Sequence, residues 1–318
     1  MASTKKKTCS EKENGQNNPS LADDDMNMEQ DVMDASDSMS SSSDEEEDEM
    51  DTQEKINVEF EARNPEEMDF HGIRQLLLQL FLKSNVHISG LTNWILSLNV
   101  GSVIKQYFEE DGEEEEEEDD IDYNQVYGVI SCLNISNTKE KVFADQVKKH
   151  LLEKLSNEQQ AVARLRSILD DPANNIGFIV NERFVNIPPQ IAEPSFSSLR
   201  QEMQTANEKG DDYNCSHFVL IAKKFRMKVS GKSGKKRRSK KPLDPEIYSN
   251  AEEEFFAEAA ELKASYSVAG ERDSGVVQQW DSELEDQYEP IREVIVFRSG
   301  KLTGIMNKIH QHLSQSNT

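Results

Sequence analysis

Apolar positions along this chain recur with two different spacings, and the switches between them mark its elements. Ile56, Val58 and Phe60 alternate with polar residues, as a half-buried strand does. Asn64-Pro65-Glu66-Glu67 then predicts a helix start, with Asn as cap, Pro in the first turn and Glu near the positive end of the dipole. The helix carries Ile73, Leu76, Leu77, Leu80 and Phe81, a stripe that another layer must cover. Ser89 is expected to cap a second helix running through Leu98, with Trp94 on it.

GSVIKQYF (101–108) and NQVYGVISCLN (124–134) predict two strands. Two helices follow, one through Phe143, Val147, Leu151 and Leu155, the other through Val162, Leu165 and Leu169. IGFIVNERFV predicts a strand ended by Ile187-Pro188-Pro189, because proline has no N–H for a ladder. Phe196, Leu199 and Met203 mark a helix, and HFVLIAKKF a buried strand. NAEEEFFAEAAELKASYSV reads as helix in its first half and strand in its second. REVIVF is a strand, and Leu302, Ile305, Met306, Ile309 and Leu313 form a C-terminal helical face. The order is roughly βααββααβαβββα: one α/β domain with a mixed sheet flanked by helices.

Charge divides the chain further. Residues 23–54 hold fifteen Asp or Glu with no Lys or Arg, and residues 109–120 hold eleven acids in twelve positions. Those 26 of the 61 acids account for essentially all of the net charge of −25, leaving 35 acids against 36 bases. Self-repelling blocks of this kind bury nothing. The expected organisation is a disordered acidic tail at 1–54 and a folded domain at 55–314. That domain is interrupted by a disordered acidic insertion at 109–122 and a basic loop at 228–243. No stretch of about eighteen apolar residues predicts a membrane span, and the first residues lack the apolar core of a secretory signal. The three cysteines, Cys9, Cys132 and Cys215, are isolated, which suits a reducing compartment with Cys132 and Cys215 in the core. The sequons at Asn134 and Asn214 then have no glycosylation machinery to meet.

Catalytic signatures are sparse. Gly231-Lys232-Ser233 invites a phosphate-loop reading, but that motif needs a glycine where Arg226 stands and a helix afterwards. No pair of the six histidines has metal-ligand spacing, and Cys215-x-His217 lacks a second pair of ligands. The acidic runs lack the burial and fixed geometry of acid–base pairs. No catalytic residue, cofactor or metal is therefore assigned. Lys235, Lys236, Arg237, Arg238, Lys240 and Lys241 form the most specific short signal, a nuclear-import candidate. With Lys223, Lys224, Arg226, Lys228 and Lys232 they make eleven bases across 223–241 with no acid. Aromatic residues do not interleave them beyond Phe225, and the net charge opposes a phosphate backbone, so direct nucleic-acid binding is not expected. Dense carboxylates instead compete for Lys/Arg-rich surfaces within a Debye length of about 8 Å. Ser41, Ser42 and Ser43 each have an acid three residues on, the pattern an acidophilic kinase reads.

Several blocks together resemble the BCCIP family: NVEFEA (57–62), GIRQLLLQLFLK (72–83), GSVIKQ (101–106), VYGVISCLN (126–134), NERFVNIPPQIAEP (181–194), NAEEEFF (250–256) and KLTGIMNKIHQHL (301–313). The likeness covers about residues 54–314, and its C-terminal blocks look like the animal beta-type ending. It implies a fold like that of acetyl-CoA-dependent N-acetyltransferases, without their cofactor site. The Arg/Gln-x-x-Gly-x-Gly/Ala turn that holds a pyrophosphate is absent. It also implies a non-enzymatic adaptor in the nucleus and cytoplasm, at centrosomes and at spindle poles. The implied partners are a recombination-repair tumour suppressor, a cyclin-dependent-kinase inhibitor, centrosomal and microtubule proteins and a basic ribosomal protein. Ile187, Pro188, Pro189 and Ile191 are the partner-binding candidates on the domain, since adjacent prolines leave carbonyls without ladder partners; the competing reading puts Ile187 and Ile191 in the core. The competing reading is a degenerate or active acyl-CoA N-acyltransferase.

Overall fold

Side chains alternate across a strand, so a run that is apolar at every position must be covered on both faces. The run in His217–Met227 meets that demand. Val219 and Ile221 point into one apolar cluster, while Phe218, Leu220 and Ala222 point into another. The computed structural model describes residues 58–107, 124–228, 246–271 and 287–316. The expected acidic tail, acidic insertion and all but the first residue of the expected basic loop lie outside them, as do Ile56 and Gly231–Ser233.

Eight strands form one mixed sheet: β1 (Phe60–Arg63), β2 (Gly101–Gln106), β3 (Gly128–Asn134), β4 (Ile176–Arg183), β5 (His217–Met227), β6 (Glu246–Tyr248), β7 (Leu262–Ser267) and β8 (Tyr288–Arg298). Their order is β1-β2-β3-β4-β5-β8-β7, and β6 pairs with β5 off this path. Every pairing is antiparallel except β4 with β5. Among the described residues, four helices cover one face: α1 (Phe70–Phe81), α2 (Ile88–Leu96), α3 (Lys141–Lys154) and α4 (Gln159–Leu169). Three cover the other: α5 (Ala192–Glu208), α6 (Glu253–Ala259) and α7 (Leu302–Ser316). Among the described residues, no helix is long and apolar enough to cross a membrane.

The α1 stripe is buried as its spacing requires, with Ile73, Leu76 and Leu77 fully enclosed. Two helix starts differ from expectation. Residues 67–69 form a 3-10 turn, and α1 begins only at Phe70. Glu66 and Asp69 close a reciprocal capping box there, so the acids bind the turn ahead of the helix instead of its first turn. Nor does Ser89 cap α2: that helix begins at Ile88, and His87 Nδ1 accepts from Gly90 N at 3.0 Å. The element order gains β6, while 250–268 holds α6 followed by β7, the helix and strand its sequence suggested. Gly101, at φ +137°, leads into β2 where a Cβ would stand 2.7 Å from the Ile130 carbonyl, so the strand entry tolerates only glycine.

His150 sits in the core edge-on to Phe81, with ring centroids 5.2 Å apart. Burial and the nearby Lys154 charge lower its pKa to about 4. The unfolded chain then takes up a proton near pH 6.5 that the folded chain refuses. This contribution is complete above about pH 6.5 and is lost as pH falls toward 4, by about 3 kcal/mol. Urea titrations of wild type and His150→Leu should diverge across that window, the variant keeping the flatter profile. Parallel profiles would show that His150 titrates normally in the fold.

Candidate functional site

Strand directions give the sheet two unlike ends. At one end the connections 97–100, 135–140, 170–175 and 299–301 are all short. The other end gathers the close of β2, the start of β3, the close of β4 and β5, and the starts of β1, β6 and β8. Residues 108–123 and 229–245, which hold the acidic and basic runs, connect strands at this second end. Large apolar side chains are exposed there too: Val58, Tyr107, Val185, Met227 and Ile247.

At the same end, the parallel pair opens into a wedge. β4 and β5 pair only from Ile176–Ile179 to His217–Leu220. Where neighbouring parallel strands separate beyond their carboxyl ends, α/β proteins commonly admit a ligand. Here the chain's own residues fill the space. β6 takes the edge of β5 at Lys224–Arg226. Ser249 N then donates to the Lys223 carbonyl at 2.8 Å, and Asn250 Nδ2 to the Asn181 carbonyl at 2.9 Å. One short segment thus bridges both lips.

The side chains in the wedge are charged, buried and paired. Arg183 grips Glu252 with two bonds, Nη1–Oε1 at 2.5 Å and Nη2–Oε2 at 2.7 Å. Burial alone would lower the guanidinium pKa. Glu252, helped by Glu253 and Glu182, raises it instead. Lys223 meets Glu182 at 2.5 Å, and Lys224 meets Glu246 at 2.5 Å and Glu293 at 3.1 Å. Tyr248 donates its hydroxyl to Glu293 at 2.7 Å. Glu253 is fully enclosed, and burial beside Glu252 and Glu182 pushes its carboxyl well above the usual range. Asn181 and Asn250 donate to its Oε1. The apolar lower halves of β4, β5 and β8 therefore continue upward as Asn181-Glu182-Arg183, Lys223-Lys224 and Arg292-Glu293.

The start of α5 makes no pyrophosphate cradle. The link from β4 to α5 runs through Pro188 and Pro189, which have no N–H, and the first turn of α5 carries Glu193. Among the described residues, no group of three or more His, Cys, Asp or Glu could hold a metal ion.

The candidates from sequence separate in space. Ile187 is buried, which corrects its assignment to a partner surface: its side chain packs inward where the chain turns after β4. Pro188 and Pro189 are exposed and Ile191 is half-buried. Lys223 and Lys224 lie on β5, in the stretch expected to be a buried strand, and both are buried. Arg226, also on β5, pairs with Glu246 at 2.8 Å. Lys235, Lys236, Arg237, Arg238, Lys240 and Lys241, like Ser41, Ser42 and Ser43, lie outside the described residues. Cys132 and Cys215 are free thiols in the core. Asn134 is buried with its amide on the Asp212 carbonyl, so the folded chain offers no glycosylation acceptor there.

A family model described as BCCIP matches residues 55–256. The BRCA2 and CDKN1A-interacting protein of Bos taurus is 36% identical over 265 residues, spanning 82% of this chain and 85% of its own length. The protein of the same name from Mus musculus is also 36% identical over 265 residues, spanning 82% of each chain. The crystal structure of BCP1 from Saccharomyces cerevisiae superposes with a TM-score of 0.51 at 18% identity, covering 83% of this chain and 92% of that one. That likeness is one of fold.

The wedge makes two mutational predictions. Arg183→Met leaves the Glu252 charge buried and should cost about 3–5 kcal/mol of unfolding free energy. Adding Glu252→Leu should restore most of that loss. Glu253, whose carboxyl is raised, stabilises the fold most fully below the unfolded value of about 4.3, and this contribution is lost as pH rises through the folded value. Glu253→Gln should remove that decline and raise stability at neutral pH. Chemical denaturation from mildly acid to neutral pH checks both, and an unchanged pH slope in Glu253→Gln would contradict the upward shift of this carboxyl.

Proposed function

The chain belongs to the BCCIP family, and from that premise we propose that it is a partner-binding adaptor and chaperone that works through its surface. The observation that carries this reading is the wedge: the opening where a ligand would enter is filled by β6, Asn250 and the Arg183–Glu252 pair. An N-acyltransferase would need that space. Relatives named for interacting with BRCA2 and CDKN1A supply the partner class. On this reading the chain binds its own counterparts of that recombination-repair protein and of that cyclin-dependent-kinase inhibitor. The acidic runs add affinity for Lys/Arg-rich partners such as a basic ribosomal protein. The role extends to centrosomal and microtubule partners, with residence in nucleus and cytoplasm directed by Lys235–Arg238.

Calorimetry of the full chain separates the two readings. The adaptor should give saturable heat with the kinase inhibitor and none with acetyl-CoA. Saturable acetyl-CoA binding with acetyl transfer would favour the enzyme instead. Binding of a basic ribosomal protein should divide by ionic strength. Deleting residues 1–53 and 109–120 should slow association at low salt, because exposed charges steer encounter, yet leave a measurable complex at high salt. Loss of the complex at every salt concentration would reduce the domain to a carrier for its acidic runs. Replacing Lys235, Lys236, Arg237 and Arg238 with Ala should shift the protein toward the cytoplasm under the microscope. An unchanged nuclear fraction would move the import signal elsewhere.

A further inference from the structure

On the sheet face that packs under α1, a polar row crosses the strands: Glu182 on β4, Lys223 on β5, Arg292 on β8 and Tyr266 on β7. Lys223 and Tyr266 are the direct cross-strand neighbours of Arg292. Arg292 is only 6% exposed, yet among the described residues it makes no ion pair. Its Nη2 donates to the Gln79 carbonyl at 2.9 Å and its Nη1 to the Ile291 carbonyl at 3.2 Å, while its Nε has no partner. Each carboxylate around it is engaged elsewhere. Glu182 holds Lys223, Glu271 holds Lys154, and Glu253 lies on the opposite face, bonded to Asn181 and Asn250. Burial pulls the guanidinium pKa down, and Glu182, Tyr266, Glu253 and Glu271 oppose this only from a distance. The carbonyl end of α1 accounts for Nη2, since a cation there complements the helix dipole. It leaves Nε unexplained. The residue that accepts from Nη2 also carries a buried donor with no partner, the Gln79 side-chain Nε2. Enclosed donors and an enclosed charge cost free energy unless they are met. Together these two groups specify what would satisfy them: an anion with two acceptor oxygens.

We propose that Arg292 and Gln79 form a binding site for a carboxylate, reached between Gln79 and Tyr266, both of which are half-buried. The planar guanidinium matches a planar carboxylate, and hydrogen bonds between ionised groups are the strong ones. A phosphate would bury a further charged oxygen for which this pair has no donor. The site is separate from the plug, whose Asn250 and Phe256 fill the wedge from the other face. It therefore goes beyond the adaptor reading and does not depend on it.

Isotopic labelling of arginine nitrogens in the full chain lets NMR follow the Arg292 Nε–H, and Arg292→Lys identifies its resonance by loss. Titration with acetate, exchanged against chloride at constant ionic strength, should shift that resonance saturably. The Nε–H of Arg200, exposed on α5, should not follow it. Gln79→Leu should keep the resonance in place and weaken acetate by about fivefold, the loss of one hydrogen bond. If Arg292→Lys fails to fold, sequential assignment identifies the resonance and Gln79→Leu carries the test. A peptide of alternating glutamate and glycine separates the sources. Saturation by the peptide assigns the carboxylate to a partner's side chain, and saturation by acetate alone assigns it to a small free molecule. A resonance that neither carboxylate moves, an equal shift on adding chloride, or a Gln79→Leu protein that binds acetate like wild type would overturn the proposal.

Discussion

The pair of hydrogen bonds between Arg183 and Glu252 is the constraint on which the rest of this molecule turns. Both side chains are almost entirely out of water, at 6% and 3% exposure. Ions moved so far from solvent repay their desolvation only with near-ideal geometry and further hydrogen bonds. The surroundings provide them: Asn181 donates to Glu252, and Asn250 ties the same segment to β4. Once this clamp closes, β4 and β5 can separate without leaving backbone groups exposed, because β6 and Ser249 take up the freed edge. A fold whose shape offers a ligand crevice thereby becomes one with a polar plug.

On the adaptor reading, the plug leaves function to the surface. With the crevice filled, the wedge end still gathers exposed apolar residues, exposed prolines and the strand ends that carry the acidic and basic runs. The opposite end carries short turns. On the adaptor reading, the charged runs that follow these strands in sequence attract a partner and apolar surface holds it, which separates encounter from retention.

Much of the architecture was legible in the sequence because burial leaves periodic traces. The α1 stripe, the doubly apolar β5 run and the C-terminal helix follow directly from spacing. The family blocks and the missing glycine-rich turn pointed away from a cofactor. The plug was not legible. HFVLIAKKF reads as a buried strand, but nothing in it says which groups meet Lys223 and Lys224. In the fold the acids of neighbouring strands, Glu182 and Glu293, pair with them. Ile187 was misplaced for a related reason: the prolines beside it mark a turn, but a turn does not say which side chain faces inward. The helix starts slipped because caps come from local geometry. Asp69 closes a turn with Glu66, and a histidine ring does the work assigned to a serine.

Hydrogen–deuterium exchange on the full chain tests the closed wedge most directly. The amides of Ser249 and of residues 250–253 should exchange as slowly as those of the β5 core, and acetyl-CoA should not alter them. Fast exchange across 246–253 that slows when acetyl-CoA is added would show an open crevice and contradict the account.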